Sequence, residues 1–169
     1  MLFRSLQRGA AHVVALDVAY GELHWRLREH ERVTVLERAN ARALRPEQLP
    51  YAPDLAVLDL SFISLEKVLP AVLGCLAERF DCLAMVKPQF EAGREAVGRG
   101  GVVRDVAARR AALTSVAACA AASGAGLMGF ASSGLPGPAG NRETFAWLGE
   151  GGRAGALEDV AAAIVEVDA

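Results

Sequence analysis

Residues 54 to 88 read DLAVLDLSFISLEKVLPAVLGCLAERFDCLAMVKP. Asp54 to Asp59 holds four apolar residues between two acids. Cys82 to Lys87 is a second short apolar run, stopped by Pro88. Between them Ser61 and Ser64 are candidate N-caps, and Pro70 opens a second helical segment or kinks the first. Two short buried runs joined by a helix are the mark of a parallel strand pair with a crossover. The pattern extends in both directions. Upstream, Arg4 to Arg8 reads as a helix end stopped by Gly9, and His12 to Asp17 as a strand. Tyr20 to His30 reads as a short helix with Leu23, Trp25 and Leu27 as its apolar members, and Arg32 to Glu37 as a strand. Downstream, Asp105 caps an alanine-rich helix over Val106 to Ser123, stopped by Gly124. Gly126 to Ala131 and Glu143 to Trp147 read as strands around an irregular loop at 132–141. After the Gly151-Gly152 break comes an amphipathic helix, Leu157 to Val167. The expected fold is α/β, one domain over 1–169, with a mostly parallel sheet and crossover helices.

Composition narrows the function. Hydrophobic residues at 53% and charged residues at 22% describe a globular chain. A net charge of −2 offers no global attraction for nucleic acid, so a basic site has to be local. No apolar run approaches the roughly 20 residues of a membrane span, and no signal-peptide pattern opens the chain. Cys75, Cys82 and Cys119 lack metal-type spacing, as do His12, His24 and His30. This predicts no metal, no disulfide framework and a reducing, cytoplasmic compartment.

In an open parallel sheet, ligands bind beyond the carboxyl ends of the strands. Those ends carry Asp17, Glu37 to Asn40, Asp59 and Lys87. An acid after an early strand suits a nucleotide ribose, and it equally suits a helix cap. Asp59 and Lys87 are separated by one strand–helix–strand unit, so on neighbouring strands both emerge at one rim. That makes them either a reactive pair or a structural salt bridge. The segment after Lys87 mixes Gly93, Gly98, Gly100 and Gly101 with Arg94, Arg99 and Arg104. Glycine permits close backbone approach and arginine forks match phosphate oxygens. The segment reads as a mobile lid for a phosphodiester chain, or as a solvated loop.

LDVAYGELHWRLR, VLERANAR, VLDLSFISLEKVLP, VKPQFEAGREAVGRGGVVRD and LPGPAGNRETFAWL resemble, in this order, the TlyA family of FtsJ-like RNA methyltransferases, often named hemolysin A. The resemblance covers Gln7 to Leu148. It implies a Rossmann-like fold that uses S-adenosyl-L-methionine and 2′-O-methylates ribosomal RNA or ribosomal subunits, without a metal. From the family's Lys-Asp-Lys-Glu tetrad it assigns Asp59, Lys87 and Glu143 as catalytic, although Arg142 departs from the small or apolar residue usual before the glutamate. It implies Asp17 on the cofactor ribose, Asn40 near the adenine and Asp59 near the sulfonium. Arg94, Arg99 and Arg104 would hold RNA phosphates. The family's S-four-like RNA-binding module, first lysine and glycine-rich cofactor loop have no counterpart here. The chain is therefore expected to be N-terminally truncated, without the first, central strand. That strand would lie between those ending at Asp17 and Asp59, and its loss either leaves unpaired backbone on both or forces them together. The rival readings are a non-catalytic RNA-binding or ribosome-associated fragment and, without any span to support it, a membrane-active hemolysin.

Overall fold

The computed structural model describes residues 2–168. Helix α1 (Leu2–Gln7) ends where Gly9 takes a φ of +94°, a left-handed turn that suits glycine. Strands β1 (Val13–Leu16) and β2 (Val33–Leu36) pair in parallel, with α2 (Trp25–Arg28) in the crossover. β3 (Leu55–Leu58) pairs in parallel with β4 (Asp81–Val86) across a 3₁₀ turn and α3 (Leu69–Leu73). Ser64 caps that 3₁₀ turn by accepting from the Glu66 N–H, and Pro70 lies in the first turn of α3. After β4 come α4 (Pro88–Glu91), a second 3₁₀ turn and the long α5 (Val106–Ala122). β5 (Ala125–Pro136) and β6 (Arg142–Glu150) form a hairpin, and α6 (Val160–Val167) closes the chain.

The sheet is in two pieces. β1 and β2 form one; the other runs β3-β4-β6-β5. β6 is antiparallel to both neighbours, because a five-residue turn can reverse a chain but cannot return it in parallel. The sheet is therefore mixed, with the parallel part confined to β1–β2 and β3–β4. Between β1 and β3 lies a trough of about 1050 Å³, walled by Val13–Leu16 on one side and Leu55–Leu58 on the other. Each wall strand is paired on one side only.

The core lies on one face of the larger sheet. Cys82, Ala84 and Val86 alternate inward from β4 and meet Ala146 and Leu148 of β6. Leu113, Val116 and Ala120 of α5 cover them, with Leu65, Val68 and Leu69 beside and Ile164 of α6. The other face is open. Val57, Leu83 and Trp147 align across three strands and each is more than one-third exposed.

Three elements differ from the sequence expectation. The helix predicted over Tyr20–His30 is only Trp25–Arg28: Gly21 at φ +83° holds the chain in a turn, and the His24 ring accepts from the Arg26 N–H as a late cap. Leu27 is the residue it buries; Trp25 is 60% exposed. β5 runs on through Ser132–Pro136, which shortens the irregular loop to residues 137–141. The last helix starts at Val160, where Asp159 accepts from the Ala162 N–H.

Candidate active site

β3 and β4 are neighbours in register, so the residues following them reach the same rim. Lys87 Nζ sits 2.7 Å from Asp59 Oδ1 and 3.4 Å from the Ser61 hydroxyl. The lysine side chain is only 12% exposed, while that of Asp59 is 42% exposed. An ammonium has three donors; here one is directed at a carboxylate and a second, more weakly, at a hydroxyl. On the far side of β4, Val86 pairs with Thr144 of β6. One step beyond that pair, the antiparallel register sets Lys87 against Glu143. Asp59 and Lys87 thus come to one rim, as their spacing predicts, and Glu143, which the resemblance supplies, enters β6 beside them. Glu143 is buried, and its carboxylate lies against Gly137: a Cβ built there would stand 2.6 Å from Glu143 Oε1.

The cofactor residues are less tightly grouped. Asp17 and Asp59 both line the trough, at the ends of its two walls. Asp17 Oδ1 accepts from the Ala19 N–H, and the residue is otherwise exposed. Asn40 caps a 3₁₀ turn through the Arg42 N–H and is not among the trough residues. Glu37 is committed elsewhere: it pairs with Arg28 and accepts from the Gly21 N–H at 2.9 Å. The Arg28 guanidinium is the main reason its carboxyl stays below the usual range. The donor set fits the nucleoside half of S-adenosylmethionine, with the Asp17 carboxylate for ribose hydroxyls beside apolar walls of Leu16 and Ala41. For the methionine half, these residues provide trough walls and no glycine-rich turn.

The segment after Lys87 is not the free lid that its composition suggests. α4 is tied to the opposite loop by Glu91, which accepts from the Leu65 N–H at 2.9 Å and the Ser64 hydroxyl at 2.7 Å. Burial nevertheless pushes the Glu91 carboxyl up. Arg94, Arg99 and Arg104 are exposed and, among the described residues, form no ion pair.

Phe62 was not singled out by sequence. It is 92% exposed, holds a φ of +63°, and packs its ring 5.2 Å from that of Phe90. A phenylalanine four residues past the end of β3 carries no pattern that distinguishes it. Its exposure and left-handed backbone appear only in three dimensions.

A family model described as FtsJ-like methyltransferase matches residues 4–150. A Mycobacterium tuberculosis protein named 16S/23S rRNA (cytidine-2′-O)-methyltransferase TlyA is 54% identical over 143 residues, 85% of this chain and 53% of the relative. A Brachyspira hyodysenteriae protein named Hemolysin A is 39% identical over 101 residues, 59% of this chain and 42% of that one. A solved structure named as a hemolysin, from Streptococcus thermophilus, superposes with a TM-score of 0.86 at 35% identity, covering 96% of this chain and 60% of the other. The chain thus spans about half the length of the curated relatives it matches. With a match running from the first helix to the end of β6, on a fold that brings an aspartate, a lysine and a glutamate to one rim, this chain belongs to the FtsJ-like methyltransferase family.

Proposed function

We propose that this chain is the catalytic part of an S-adenosylmethionine-dependent enzyme that methylates ribose 2′-hydroxyls in ribosomal RNA, in the cytoplasm. The carrying observation is the 2.7 Å Lys87–Asp59 pair at the rim shared with Glu143. The relatives' names supply the substrate class. S-adenosylmethionine, when bound, supplies a sulfonium methyl that needs no further activation. What remains for the protein is to place one hydroxyl and manage its proton. Lys87 Nζ, held by Asp59 and Ser61, has a third N–H with which to hold a ribose oxygen. Glu143, on the strand beside it, adds a second carboxylate to which the proton can pass as the hydroxyl gives it up. Asp17 would take the cofactor ribose, and Asn40, in the turn after β2, the adenine. The exposed guanidinia of Arg94, Arg99 and Arg104 are free for phosphates, and the Phe62 face is free for a base to stack on.

Lys87→Ala is expected to abolish methyl transfer and leave S-adenosylmethionine affinity within about threefold. Tritium transfer to ribosomal RNA and calorimetric titration measure the two. Surviving transfer would remove Lys87 from its role. The trough between β1 and β3 favours a second reading, a non-catalytic RNA-binding fragment. Calorimetry on the unaltered 169-residue chain separates them: measurable S-adenosylmethionine binding supports the enzyme, and RNA binding without it supports the fragment.

A further inference from the structure

The turn before β6 carries a side chain that no part of the proposed reaction uses. Asn141 is 1% exposed, yet it is a polar amide. A buried amide left unpaired is costly, so its partners identify its role. Its Oδ1 accepts from the Val103 N–H at 2.9 Å, and its Nδ2 donates to the Gly101 carbonyl at 2.8 Å. One donor and one acceptor from the same strip of backbone fix the amide's orientation, since the flipped form would lose both bonds. Asn141 also accepts, through its own carbonyl, from the Gly137 N–H at 2.8 Å. It therefore holds the turn that leaves room for the Glu143 carboxylate as well as the loop that carries Arg99 and Arg104.

That loop is shaped for such a hold. The Gly98 N–H donates to the Val102 carbonyl and the Gly101 N–H to the Gly98 carbonyl, which closes a tight turn. Gly100 and Gly101 stand at φ +80° and +76°. Val103 is buried as an anchor. Past it, Arg109 Nη1 donates to the Arg104 carbonyl, while Arg109 Nε and Nη2 grip both oxygens of Asp168. Asn141 and Arg109 thus fix the two ends of Gly101–Arg104, which sets the backbone of Arg104 directly and that of Arg99 through the Gly98–Val102 turn, before any ligand arrives.

We infer that Asn141 is a positioning residue that couples the arginine loop to the rim carrying Glu143, so that RNA gripped by Arg99 and Arg104 is presented in register with the catalytic groups. The inference rests on the loop being the RNA contact proposed above. A preformed contact spares the ordering entropy that a free loop loses on binding. Breaking the two amide bonds therefore weakens RNA binding although Asn141 never touches RNA.

The test is a double-mutant cycle on the 169-residue chain, with end-labelled total bacterial ribosomal RNA as the probe. Arg99→Ala is expected to raise Kd roughly tenfold and lower the salt slope by about 1. Asn141→Ala is expected to raise Kd to a similar degree and to add less than about twofold on top of Arg99→Ala. Hydrogen exchange at the Val103 amide should accelerate. Gly101→Ala serves as the second variant. Its Cβ meets nothing within 4 Å, so it disturbs only the left-handed backbone of the exposed turn, and it should reproduce the loss if Asn141→Ala fails to fold. If Arg99→Ala weakens binding while Asn141→Ala and Gly101→Ala do not, or if their effects simply add to it, the coupling is refuted and the RNA-contact reading stands. If Arg99→Ala itself changes nothing, the RNA-contact reading falls and the coupling falls with it.

Discussion

Glu91 is the carboxylate whose surroundings oppose its charge most openly. Burial pushes its pKa above the ordinary 4.5, although Leu65 and Ser64 both donate to it. A raised folded-state value means the native protein binds a proton that the unfolded chain has already released. Its contribution to stability is therefore fullest below about pH 4.5 and is lost as pH rises through the folded value. Glu91→Gln keeps the shape without the charge. Its melting temperature relative to the unaltered chain should climb between pH 4 and pH 7; parallel melting curves across that range would refute the assignment. At this scale the sequence is legible where a residue type is tied to a strand end. Asp59 and Lys87 are of that kind, whereas Glu143, at the start of β6, is singled out only by the resemblance. Phe62, Gly137 and Asn141 are not, because their roles depend on a backbone angle, a missing Cβ and a partner 38 residues away.

Among the elements, α5 was read best, from cap to stop. Asp105 accepts from the Ala107 N–H at 3.0 Å, and Gly124 turns left-handed at φ +81°. Asp105→Ala should destabilise the chain by about 1 kcal/mol in urea unfolding. A change below a few tenths would mean the cap is idle. α2 was read too long because apolar spacing persists through Leu23, whereas Gly21 and the His24 cap set the real start. β5 was read too short for the opposite reason. Two serines, a glycine and a proline within 132–136 look like loop, but pairing with β6 imposes extended structure on them, with register shifts between Leu127 and Gly129 and between Ser132 and Pro136. Antiparallel pairing itself has no local mark; it follows from a connection too short for a crossover.

For the whole molecule, a break in the sheet was one of two outcomes that the resemblance suggested, and the class of fold was legible in the alternation of short apolar runs with helices. The degree of separation was not. The two-stranded piece has four-residue strands and only partial burial, whereas β4, β6 and α5 share the core. Isolated two-stranded units are marginal in water. Amides of Val33–Leu36 should therefore exchange at least about tenfold faster than those of Cys82–Val86 in native-state hydrogen exchange. Equal protection would mean that the two sheets open as one.

The chain's two tryptophans happen to divide between these pieces. Trp25 stands in the helix packed on the two-stranded sheet, while Trp147 lies in β6, its indole N–H held by Asp81 and its ring 5.7 Å from the Arg153 guanidinium. Emission from this protein is thus a sum of two reporters in different surroundings. Replacing either one with phenylalanine leaves a fluorophore that follows a single half of the molecule, without the introduction of any foreign dye.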